Sequence, residues 1–248
     1  MPAPSQALRQ VLNSMDEFGA SFIAAFRLIW RFDPQLLEIV GLSLRVSLTA
    51  VAIAMAVGLP LGAALARLRF PGRHAAVVLI NALMGLPPTV LGLLLYLLLS
   101  RAGPLGVLGL LFTPTAMIIA QAILVLPIVA ALTRQVVEDL WNEYDEQLRS
   151  LGASPLRSIA TLLWDARFSL VTGVLAGFGR AAGEVGSVMI VGGNIDHLTR
   201  TMTTAIVLET SKGNFALALG LGAILMTLAL GVNAAAVLLK EAAQRGLG

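Results

Sequence analysis

The chain has no cysteine and only two histidines, His74 and His197. The first absence excludes disulfides, thiolate nucleophiles and cysteine-held metals. Neither histidine has a second ligand at helical spacing, so both read as loop or interface residues and no metal site is expected. Charge is scarce as well: Asp, Glu, Lys and Arg together make 12% of the chain, against about 25% in soluble domains. The formal net charge of +3 is spread through loops without a basic run, which argues against a nucleic-acid partner. No G-x-x-x-x-G-K-S/T loop and no Gly-Lys dipeptide occurs, nor a Ser-His-Asp, Cys-His or paired-carboxylate constellation. ATP hydrolysis therefore has no machinery here, and neither an enzyme nor a bound cofactor is expected. The opening MPAPSQALRQVLNSMDEF lacks the charged and apolar blocks of a secretory signal, so no cleaved leader is expected.

What is present is apolar. Hydrophobic residues make 57% of the chain, mean hydropathy is +0.86, and several runs reach the length of about 20 residues that a spanning helix needs. The reading is an all-α, polytopic transmembrane helix bundle. Five spans are predicted, at about Leu36–Ala66, His74–Ser100, Thr113–Thr133, Phe168–Gly193 and Phe215–Leu239. Lys and Arg set the orientation. If the 67–73 loop, the 134–167 loop and the C-terminal tail are cytoplasmic, that side holds Arg67, Arg69, Arg73, Arg134, Arg149, Arg157, Arg167, Lys240 and Arg245. The other side holds only Arg101, Arg200 and Lys212.

Residues 1–35 form a separate N-terminal segment before the membrane domain of 36–248. FGASFIAAFRLIWRF places Phe18, Phe22, Phe26 and Ile29 on one helical face, with Arg27 and Arg31 elsewhere. Such a helix either lies in the outer interface or makes a sixth, tilted span.

Two places break the apolar pattern. GLPPTVLG, residues 85–92, sits inside the second span. Pro87 and Pro88 remove N–H donors and free carbonyls at membrane depth, so the helix is either kinked for packing or lines a pathway. In the fourth span, Arg180 and Glu184 stand four residues apart, at a cost of about 2.5–3.5 kcal/mol each on insertion scales. On a continuous helix they share a face and can pair, with Ser187 one turn on. Gly179, Gly183 and Gly186 make a strip for close helix approach. The two charges are then either a structural ion pair or a route for an anion, with Arg180 supplying positive potential. A proton relay through Glu184 lacks a second intramembrane acid. Polar groups placed to face a pathway are Thr89, Ser187 and Asn194 beside Arg180; the candidate set is completed by Pro87, Pro88, Glu184, Gly192 and Gly193. Five spans are few for a pathway within one chain, which favours a homodimer.

The stretch at about 138–167 is the least membrane-like. It reads as helix, turn, helix: Gly152 ends the first, Ser154 caps the second and Pro155 opens it. Leu156, Ile159, Leu162 and Leu163 form an apolar stripe that needs a groove or membrane surface to cover it.

Glu146 and, six residues later, Gly152 resemble the EAA loop of ATP-binding-cassette importer permeases. Gln147 and Leu148 replace its alanines, and Leu162, Trp164 and Asp165 replace its closing Ile, Leu and Pro. The stretch RAAGEVGSVMIVGGNIDHLTRTMTTAIVLETSKG, together with DPQLLEIVGLSLRVSLTA and GLPPTVLGLLLY, resembles the tungstate permeases, more distantly the molybdate and sulfate permeases. The resemblance runs from about Phe22 to Leu239. It implies a type I importer fold in a bacterial or archaeal plasma membrane, working as a homodimer. Glu146, Gly152, Ala153, Ser154, Pro155, Leu156, Ile159 and Leu162 would dock two cytoplasmic ATPase subunits, which carry ATP and Mg. An extracytoplasmic binding protein would deliver tungstate, or alternatively molybdate, sulfate or thiosulfate. Outside this class, an ion-coupled transporter acting alone would show inverted repeats, and none is found; a purely structural subunit leaves the broken second span without a use.

Overall fold

The computed structural model describes residues 22–31 and 33–245, and among these there is no β-strand. A first helix, α1, is described over 22–30. α2 spans Pro34–Arg67, started by Asp33, whose carboxylate accepts from the Gln35 and Leu36 amides. Then come α3 (Arg73–Met84) and α4 (Pro88–Leu99). α5 runs Pro114–Ser150, α6 Pro155–Asp165 and α7 Arg167–Ala182. α8 (Gly186–Gly192), α9 (Met202–Ser211) and α10 (Phe215–Arg245) complete the chain.

α2, α5 and residues 215–235 of α10 are each long and apolar enough to cross a bilayer. Two further helix pairs pass only together: α3 with α4, bent by 102°, and α6 with α7, bent by 75°. The total is three spans, or up to five with each pair counted as one.

α2 and α5 pack against each other along their length and form the spine. Buried clusters mark its levels. Leu36 and Ile39 of α2 meet Leu217 and Leu221 of α10 at one end. Val51, Ala54, Val125, Val129, Phe178 and Ala181 fill the middle. Ala63, Ala66, Val137 and Leu162 close the other end, the cytoplasmic one by the Lys/Arg count.

Three expectations need correction. The third span does not stop at Thr133. α5 continues for 37 residues, about 55 Å at helical rise, against a hydrocarbon core of about 30 Å. The first half of the presumed loop is thus this helix projecting beyond the membrane. The fourth span is not continuous either: α7 ends at Ala182, capped at Gly183, and α8 starts afresh at Gly186. Chain direction then reverses. The Met202 amide at the start of α9 donates to Ser43 Oγ within α2 (2.7 Å), and Thr203 Oγ1 donates to the Glu184 carbonyl (2.8 Å). α9 therefore begins back at the depth of the α7–α8 break. Lastly, in α1, Phe22 and Phe26 face outward, whereas Ile29 and Leu28 pack on the α2–α10 cluster; Phe18 lies outside the described residues. The described part of this helix, 22–30, sits beside the ends of α2 and α10.

Candidate functional site

The α3–α4 break follows from its sequence. Gly85 caps α3, and the Leu86 amide reaches back to the Leu83 carbonyl (3.1 Å). Pro87 and Pro88 have no amide to continue the ladder, and a residue before proline is driven to extended geometry, as Pro87 is at ψ 125°. α3 stays at the cytoplasmic end, where Arg73 Nε donates to the Leu65 carbonyl (2.6 Å) and Arg73 Nη2 to Glu138 of α5 (3.0 Å). Arg134 pairs with the same carboxylate. α4 packs in the outer half with α8 and the start of α5, through Leu91, Leu95, Met117, Val188 and Val191. The pair bends by 102° at an elbow between the cytoplasmic end and the outer half.

An open cavity of about 580 Å³ lies at the elbow, lined among others by Gly85, Leu86, Pro87, Pro88, Ala176 and Arg180. Among the described residues Arg180 is the only charged one that lines it.

The second break, Gly183–Val185, meets the first. A Cβ on Gly186 would lie 2.9 Å from Thr89 Cγ2. Here the expected Arg180–Glu184 pair does not form. Because α7 ends between them, they leave the shared face: Glu184 is 4% exposed, and its Oε1 accepts from the Ser187 amide (3.0 Å) and Ser187 Oγ (3.2 Å). This satisfies first-turn donors of α8 that no helical carbonyl can reach. Gln121 of α5 donates to the Ala181 carbonyl (3.0 Å), so α5, α8 and α9 all hold the break. The glycine strip is divided too: Gly186 packs on Thr89, whereas a Cβ on Gly179 would meet nothing within 4 Å. Thr172, Ala176, Gly179 and Gly183 form an exposed small-residue face of α7.

The structure thus gathers Pro87, Pro88, Thr89, Arg180, Glu184 and Ser187 at two apposed breaks. Gly192, Gly193 and Asn194 stand apart, in the outer turn. A Cβ on Gly192 would be 2.9 Å from Met117 Sδ; Gly193 has φ +73°, open to glycine at little cost, and lies against the Phe112 ring. Asn194 Nδ2 donates to the Thr204 carbonyl (3.4 Å). Thr199 locks the turn, donating to the Gly192 carbonyl (2.6 Å) and accepting from the Ile195 amide (2.9 Å). Sequence reading missed Gln121, Ser43, Thr199 and Thr203; the signal available was the density of hydroxyls in TRTMTT, too polar for a surface loop's chance composition beside two spans. On the outer face His197 Nδ1 lies 2.8 Å from Glu38 Oε2. That hydrogen bond, then the negative charges of Glu38 and Asp196, raise the imidazole above its usual value.

At the cytoplasmic end the turn forms as expected. Gly152 adopts φ +67°, and the Gly152 and Ala153 amides donate to the Arg149 and Leu148 carbonyls, both at 3.0 Å. Ser154 Oγ caps α6 and Pro155 opens it. The apolar stripe is corrected: Ile159, Leu162 and Leu163 are already covered by α2 and α5, with Leu162 1% exposed. Leu156, 77% exposed, faces out with Leu151 and Trp164, and Glu146 is exposed nearby. Tyr144 beside it has its phenol raised by the charges of Glu143 and then Asp165.

Residues 58–244 match the family described as binding-protein-dependent transport system inner membrane component. The chain is 40% identical to a tungstate uptake system permease protein of Peptoclostridium acidaminophilum, covering 92% of this chain and 100% of that one. A probable anion ABC transporter permease protein of Haloferax volcanii is 43% identical, covering 80% and 88%. A sulfate transport system permease protein of Synechocystis is 31% identical, covering 84% and 76%.

Proposed function

Because the chain belongs to the family of inner-membrane components of binding-protein-dependent transport systems, we propose that it is the permease of a tungstate importer. It moves the oxyanion into the cytoplasm by alternating access, driven by separate ATPase subunits. The observation that carries the cargo is the match, at 40% identity over 92% of this chain, to a tungstate uptake permease. Identity falls to 31% for the sulfate permease, which makes sulfate the second reading.

Two copies form the working unit. The uncovered face of Thr172, Ala176, Gly179 and Gly183 on α7 supports this, since small residues at such spacing let helices approach closely in a bilayer. The elbow cavity opens beside that face, so the pathway runs between copies, past Pro87, Pro88, Thr89, Arg180, Glu184 and Ser187. Gly192, Gly193 and Asn194 shape its outer rim. ATP and Mg belong to the ATPase, which docks on Glu146, Gly152, Ala153, Ser154, Pro155 and Leu156. Ile159 and Leu162 hold that docking helix to the spine. An extracytoplasmic binding protein delivers cargo to the outer turns.

Leu156→Asp tests the docking. The side chain is 77% exposed, so the variant folds, and co-purification with the ATPase is expected to drop about tenfold or more, as for loss of an apolar anchor. Equal recovery of ATPase with wild type and variant would sink the docking assignment.

A further inference from the structure

Arg180 differs from the six arginines that partners hold, and from Arg45 of α2, which likewise has no side-chain partner among the described residues but is exposed and does not line the elbow cavity. Arg73 and Arg134 share Glu138, Arg149 and Arg200 pair with Asp145 and Asp196, and Arg67 and Arg167 stack on Trp141 and Trp164. Among the described residues Arg180 makes no hydrogen bond, ion pair or ring contact, and it lines the elbow cavity. It lies thirteen residues into α7, about 20 Å from the cytoplasmic start. A cation at that depth must face water or a counter-charge. The one acid near it in sequence is unavailable, because Glu184 is buried and bound to Ser187. The other described residues of the cavity wall are apolar, so no side chain among them competes with an anion for the guanidinium.

We infer that Arg180 is the residue that draws the oxyanion into the elbow cavity, acting as a transient counter-ion, while Glu184 is a positioning residue held away by Ser187. This rests on the permease reading. Two copies bring two such guanidinium groups to an anion of two negative charges. The guanidinium fork suits oxyanion edges, and a single contact per chain leaves binding weak enough for release. Glu184 matters by staying away: an acid swung onto Arg180 would cancel the attraction.

The absence of cysteine makes Arg180→Cys a clean probe. The permease is reconstituted with its ATPase and binding protein in proteoliposomes, and ATP-dependent tungstate uptake is measured. Arg180→Cys is expected to lower uptake about tenfold, the loss that one charge-assisted contact brings. Coupling a cationic aminoethyl thiosulfonate to the new thiol restores it; an anionic sulfonatoethyl reagent does not. Tungstate presented with binding protein slows the labelling. Wild-type uptake by the unlabelled variant, or equal rescue by both reagents, overturns the inference. Should the cysteine variant fail to assemble, Arg180→Lys and Arg180→Gln decide: uptake kept by Lys and lost by Gln supports it, and equal loss overturns it. Wild-type vesicles separate this from the cargo assignment. If they import sulfate and not tungstate, the cargo is wrong, and the same variants are read with sulfate.

Discussion

Glu184 stands four residues after Arg180, yet a helix break gives the two separate duties. If Glu184 serves as the acceptor for α8, then Glu184→Gln keeps a carbonyl oxygen at that place and changes stability little. Glu184→Ala leaves the Ser187 donors without a partner and costs about 1–3 kcal/mol, read as a drop in thermal unfolding temperature in detergent. Equal damage from both variants would point back to a charge pair. His197 gives a pH-dependent case. Its pKa is raised by Glu38, so the contact stabilises fully below the ordinary value of 6.5 and fades as pH rises through the raised one. His197→Gln is expected to lower the unfolding temperature at pH 6 and leave it unchanged at pH 9; a loss of equal size at both would refute the linkage.

At the scale of elements, hydropathy located the apolar segments, three of them single helices long enough to cross, because apolar length decides whether a segment can enter a bilayer. It could not see where helices stop inside those runs. Gly183-Glu184-Val185-Gly186 is apolar enough to read as helix; the break is legible only in hindsight, as a glycine cap followed by a carboxylate three residues before Ser187. Pro87-Pro88 announced the other break because proline removes the donor outright. The α6 stripe reads as awaiting a groove or membrane surface, whereas α2 and α5 already cover all of it but Leu156; that cover depends on α5 projecting beyond the membrane, a tertiary fact that periodicity does not carry. Packing of the α2–α5 spine makes a paired prediction. A Cβ on Gly62 collides with the Ala130 carbonyl and comes within 2.8 Å of Thr133 Cβ, whereas one on Gly222 in α10 meets nothing within 4 Å. Gly62→Ala is expected to destabilise by about 1–3 kcal/mol, and Gly222→Ala to be neutral or stabilising by up to about 1 kcal/mol. Equal effects on thermal unfolding would contradict the packing of the spine.

At the scale of the molecule, two broken spans meet in the middle of a bundle whose outer and inner ends are well tied. Glu138 fastens α3 to α5 at the cytoplasmic end, and Thr199 fastens the outer turn. Between them lies the elbow cavity, lined by Arg180, which has no partner among the described residues. That distribution fits a transporter that opens at alternate ends around a fixed centre, with force entering through α6, which packs on both α2 and α5. The most direct measurement is ATP-dependent uptake of labelled tungstate by proteoliposomes holding this chain, its ATPase and its binding protein. Uptake is expected only with all three components and ATP, and excess sulfate is expected to compete poorly. Uptake by this chain alone, driven by an ion gradient without ATP, would contradict the assignment outright.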